Sequence, residues 1–132
     1  MSAGDPAEAI ERVRATVQGR GVDLLVLFGS RARGQEGGTS DWDFGYLAGE
    51  EFDADDLLPG LVRALGDDRI DLVDLRRAGA LVRFRAARDG IVIYQSQPER
   101  FERFQLEAAS FWCDIEPVLH RAYDRLLDVV AR

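Results

Sequence analysis

The chain has 132 residues, 46% hydrophobic and 31% charged, a size and balance that suit one globular domain and leave little room for a second module. Its 24 acidic against 17 basic residues give a net charge of −7, which argues against a nucleic-acid-binding surface. A nucleotide stays open, because metal ions and local arginines can neutralise phosphates. The single cysteine, Cys113, excludes an intrachain disulfide. No stretch reads as a signal peptide or membrane span, so the expected setting is the cytoplasm.

Asp5-Pro6 reads as a helix start, with Asp as cap and Pro in the first turn. Ala9, Ile10, Val13 and Val17 recur at helical spacing and should face the core, and Gly19 and Gly21 end the helix. Val22–Phe28 is a near-continuous apolar run, as expected of an interior strand covered by helices. Gly29-Ser30 follows, then Arg31-Ala32-Arg33-Gly34 and a Gly-rich polar loop to Ser40. Gly29 permits a tight turn and close approach of backbone to ligand. Ser30 can cap a short helix behind it, leaving free N–H groups and a positive helix end that suit phosphate. Arg33, and Arg31 with a weaker case, are candidates to meet phosphate or a partner; the plainer reading is a solvated face.

Residues 41–47 form the second expected strand. Asp41 and Asp43 stand two apart and share a face, while Trp42 and Phe44 point the other way into packing. Two carboxylates on one face repel unless a cation joins them, and a divalent metal with oxygen ligands meets that need. By itself the pair reads as a solvated strand face; behind Gly29-Ser30 it reads as a nucleotide–metal site. Residues 53–65 form a helix with Leu57, Leu58, Leu61, Val62 and Leu65 inward, and Pro59 is expected to kink or split it. Asp67-Asp68 opens a turn. Residues 69–75 are the third strand, with Asp71, Val73 and Leu75 on one face and Ile70, Leu72 and Asp74 on the other. A helix over 79–89 and a short edge strand over 91–94 follow. Residues 98–132 are a long helical region with a broad apolar surface, which Pro117 should bend. Cys113 is expected to be a small buried hydrophobe, and His120 has no neighbours at zinc-ligand spacing.

Gly29-Ser30, ten intervening residues, then Ser40-Asp41-x-Asp43 resembles the motif of the polymerase-β-like nucleotidyltransferase superfamily. The GSRARG stretch strengthens the match, and the short length resembles the minimal members, above all the antitoxins paired with HEPN-domain toxins. The resemblance implies an α/β (α+β) fold: a small mixed sheet with helices mainly on one face and a C-terminal helical region. The chain would be one domain, 1–132, with 98–132 as a helical extension. It further implies that a third carboxylate from a neighbouring strand joins Asp41 and Asp43. The motif match assigns this to Asp71, with Asp74 as the alternate. Gly45 departs from the pattern, since relatives usually continue with branched aliphatic residues.

The implied chemistry is transfer of AMP from ATP to a tyrosine of a cognate HEPN toxin, within a hetero-oligomer and with no direct nucleic-acid contact. Asp41, Asp43 and Asp71 would hold two Mg²⁺ ions, while Gly29, Ser30 and Arg33 would meet the nucleotide. Nothing in the residues selects ATP over other triphosphates. Two other readings stand beside this one: a free-standing enzyme that nucleotidylates a small molecule, and a partner domain that neutralises a toxin by binding alone.

Overall fold

The computed structural model describes residues 6–29 and 41–130. The elements run α1 (Pro6–Val17), β1 (Val22–Phe28), β2 (Trp42–Ala48), α2 (Ala54–Leu65), β3 (Ile70–Asp74), α3 (Ala80–Asp89), β4 (Ile91–Gln95) and α4 (Arg100–Val130). The strands form one mixed sheet in the order β3-β2-β1-β4. β1 is antiparallel to both β2 and β4, and β2 is parallel to β3. The edge position expected for the fourth strand is where β4 lies.

The helices are not gathered mainly on one face. Leu25 and Leu27 of β1 join Phe44, Val13, Val17, Leu57 and Leu61 in a cluster under α1 and α2. Leu24 and Val26 join Leu75, Ala86, Phe101, Phe104 and Ala108 in a second cluster under α3 and α4. Strand side chains alternate between faces, so a run apolar at every position needs cover on both sides. α4 is therefore part of the core along its first turns. Phe104 is fully buried there, and Trp112 is half-buried, its ring 5.0 Å from that of Phe84. Cys113, expected inside, is exposed. α2 and α4 run unbroken through Pro59 and Pro117, each forgoing one backbone bond rather than splitting.

Gly45 keeps its place in β2 with regular pairing to Val26 and Val73. A Cβ there would sit 2.8 Å from Leu75 Cδ1 and Cδ2. The side chain missing from the central strand is thus replaced by Leu75, which is itself fully buried. α2 opens on Asp53, whose carboxylate accepts the Asp55 N–H at 2.9 Å. Asp53→Ala is expected to cost about 1 kcal/mol, read as a lower midpoint in urea unfolding.

Candidate active site

Phe28 of β1 pairs with Asp43 of β2, and Asp43 pairs with Asp71 of β3. Partners across a sheet point to the same face, so Asp43 and Asp71 stand side by side, on the face covered by α3 and α4. Gly29 leaves β1 at this point with φ +78, a conformation that favours glycine. A Cβ on Gly29 would lie 3.2 Å from Asp43 Cγ and closer still to a carboxylate oxygen. Only glycine lets the chain turn this tightly against that carboxylate. Asp41 is exposed, one residue before β2 begins, and not the first residue of the strand as expected.

Asp43 is partly buried, and burial, then Asp71, then Asp41, raise its pKa above 3.8. The charged form is disfavoured first by the loss of water around it and then by the two like charges nearby. Among the described residues no three His, Cys, Asp or Glu side chains form a closed metal-binding group. The carboxylates nevertheless fit a hard divalent cation such as Mg²⁺: they offer oxygen donors only, and their mutual repulsion is of the kind a cation relieves. Asp41, Asp43 and Asp71 are the residues that would hold it.

Asp74, the alternate third acid, stands opposite Tyr46 on the other face. Its carboxylate accepts the Arg76 N–H at 2.9 Å and lies 3.8 Å from Arg77, which ties it to the turn after β3. Ser30, Arg31 and Arg33 lie outside the described residues. Of the α3 arginines, Arg88 pairs with Asp89 at 2.8 Å, and the Arg83 guanidinium rests 4.8 Å from the centre of the Phe111 ring.

One group near the carboxylates was missed in the sequence. The Asp67 carboxylate accepts the backbone N–H of Arg69 at 2.9 Å, its Nε at 3.2 Å and its Nη2 at 3.1 Å. It also accepts a bond from the Trp42 side chain, and Arg69 holds its pKa down at about 2. Only the Asp-x-Arg spacing in a predicted turn hinted at this. A carboxylate whose folded pKa is depressed adds stability in full above its ordinary value of 3.8, and that stability is lost as pH falls through about 2. Asp67→Asn should therefore cost about 1 kcal/mol at pH 7, a modest value because solvent screens the pair. Urea unfolding should show the gap to the wild type closing as pH drops from about 4 towards 2.

Residues 11–99 match the family described as polymerase beta, nucleotidyltransferase. A curated relative, the protein adenylyltransferase MntA of Aphanizomenon flos-aquae (strain 2012/KM1/D3), is 37% identical over 94 residues; the match spans 62% of this chain and 63% of that relative. A crystal structure of a toxin-antitoxin with AMP-PNP superposes with TM-score 0.77 at 24% identity, covering 89% of this chain and 98% of that one. A tri-AMPylated Shewanella oneidensis HEPN toxin in complex with MNT antitoxin gives TM-score 0.65 at 24% identity, over 92% and 94% of the two chains. At these identities the structures speak for a shared fold. The family match runs from within α1 through β4 and so takes in the whole sheet together with Gly29, Asp41, Asp43 and Asp71: the chain belongs to the polymerase beta nucleotidyltransferase family.

Proposed function

We propose that the protein is a Mg²⁺-dependent nucleotidyltransferase that moves AMP from ATP to a tyrosine hydroxyl of a cognate HEPN toxin, and so acts as its antitoxin in the cytoplasm. The observation that carries this is Gly29 turned against Asp43, with Asp71 in register beside it. The likeness to a protein named as an adenylyltransferase supports the donor and the reaction class. Structural neighbours that hold a HEPN toxin support the partner. Among the described residues no helix is long and apolar enough to cross a membrane.

In this reading the tyrosine oxygen attacks the α-phosphorus. The bond from that phosphorus to the bridging oxygen of the β-phosphate breaks, and pyrophosphate leaves. Asp71 stands on the acceptor side and assists departure of the phenolic proton. Asp41 and Asp43 are the carboxylates that would hold the cations beside the α-phosphate. Gly29 lets backbone N–H groups approach the terminal phosphates, with Ser30 and Arg33 as further contacts. Two Mg²⁺ ions, when bound, supply the positive charge that offsets charge building on the reacting oxygens. The chain is taken as one domain, 1–132. The apolar surface of its extension, 98–132, is assigned in part to the partner.

The test is intact-mass analysis of the toxin after incubation with this protein, ATP and Mg²⁺, followed by peptide mapping. The expected result is one or more AMP additions on tyrosine. Tight binding and toxin inhibition without any mass change would reject transfer in favour of neutralisation by binding alone.

A further inference from the structure

The chain carries a net charge of −7, yet one groove has the opposite sign. It lies between α1 and α2 and is lined by Arg12, Arg20 and Arg63, with no carboxylate among the described residues that line it. Its volume is about 510 Å³, within the roughly 300–1,000 Å³ of small-ligand sites. It belongs to the face of the sheet covered by α1 and α2, whereas Asp43 and Asp71 stand on the other. The transfer chemistry does not use it.

The floor of the groove is made of small residues, Ala15, Gly60 and Ala64. A Cβ on Gly60 would lie 2.7 Å from Thr16 Cγ2, so the two helices meet there with no side chain between them. The Thr16 hydroxyl is turned back onto α1, where it donates to the Arg12 carbonyl at 2.8 Å. The walls are guanidinium groups. Arg12 Nε donates to the Ala64 carbonyl at 2.8 Å, which holds that side chain across the groove and leaves its Nη donors for a ligand. Among the described residues Arg20 and Arg63 make no hydrogen bond and no ion pair. By contrast Arg14, Arg77 and Arg88 each have a carboxylate partner. Acids come near at one end only, where Arg20 also borders a recess with Glu51, Asp53 and Asp56. Repulsion at that end leaves Arg12 and Arg63 as the favourable part of the groove for an anion.

We infer that the α1–α2 groove binds a small phosphate anhydride, held by Arg12 and Arg63 with Arg20 at the rim. A guanidinium meets phosphate oxygens with parallel N–H donors, a fit that a point charge does not give. Three positive charges around one small space, with no carboxylate to offset them, call for a ligand with several negative charges close together. An anhydride has them; the side chains of an acidic peptide carry one each and hold them apart. The small floor lets the anion sit low between the helices, where the three charges add. Because the arginines are exposed, binding should be modest and should weaken with salt. The ligand is inorganic pyrophosphate or the phosphate chain of a nucleotide, which share this chemistry.

The experiment is calorimetric titration of sodium pyrophosphate into the full chain without Mg²⁺, so that the carboxylate site does not report. Wild type is compared with Arg63→Gln, Arg12→Gln and the double variant. Arg85→Gln removes an equal charge from an exposed position on α3, across the sheet. The expected result is an affinity weakened about fivefold by Arg63→Gln and lost in the double variant, with Arg85→Gln like the wild type. Arg63→Gln breaks no bond within the fold, so it carries the comparison even if Arg12→Gln, which releases the Ala64 carbonyl, does not fold. AMP-PNP titrated in the same way separates the two sources. Binding weakened by the same substitutions assigns a nucleotide; binding of pyrophosphate alone assigns the inorganic anion. No binding of either by the wild type overturns the site. So does equal binding by wild type and Arg63→Gln, an equal loss in Arg85→Gln, or equal affinity for sodium sulfate at matched ionic strength.

Discussion

Asp43→Asn will give a folded protein that has lost nucleotidyl transfer by at least about a hundredfold. Asp43 is the central carboxylate of the group, in register with Asp71 on one side and pressed by Gly29 on the other. Asparagine keeps the shape and one oxygen but removes the charge a cation needs. Stability should move the other way. Burial and two neighbouring acids raise the Asp43 pKa, so its charged form costs folding free energy at neutral pH. That penalty is relieved as pH falls through the raised pKa. The amide removes it at every pH, so at pH 7 the variant should unfold at the same urea concentration as the wild type or a higher one. A transfer assay on the toxin and a urea unfolding curve read the two effects separately. Retained transfer, or a marked drop in stability, would show that Asp43 serves the fold and not the chemistry.

Gly45→Val should be the most damaging substitution outside the site, at about 3 kcal/mol. The position is buried in the middle of β2, hydrogen-bonded to strands on both sides, so the backbone cannot move away. Even a Cβ would come within 2.8 Å of two Leu75 carbons, and valine adds two more groups to that space. Gly45→Ala should cost less, and pairing it with Leu75→Val should recover part of the loss, because the two side chains compete for one volume. Urea unfolding of the single and double variants checks this. Additive losses would mean that Leu75 is not what excludes a side chain at Gly45.

The strands and the same-face acids could be read from the chain because a strand's period of two assigns faces directly. Ile70 and Leu72 do point to one side, and Asp71 and Val73 to the other. The apolar period likewise located α1 and α2. What escaped was everything that depends on which elements are neighbours. The run Leu24–Phe28 is apolar at every position, yet its demand for helices on both faces became plain only when two separate clusters were seen. Gly45 looked like a fault in a strand, since nothing in its own neighbourhood names Leu75 as the group that fills the gap. Asp67 and Arg69 looked like turn charges. Their link to Trp42 exists only because β2 and β3 run parallel in one particular register. Cys113 was placed inside by residue type, whereas its turn of α4 presents it to solvent.

The central claim is that Asp41 and Asp43 hold a divalent cation together with a nucleotide, and one measurement meets it directly. Binding of AMP-PNP is followed by calorimetry with and without Mg²⁺, for the wild type and for the Asp41→Asn/Asp43→Asn double variant. The account predicts Mg²⁺-dependent binding by the wild type, and its loss in a double variant that remains folded. Equal Mg²⁺-dependent binding by both proteins would contradict it.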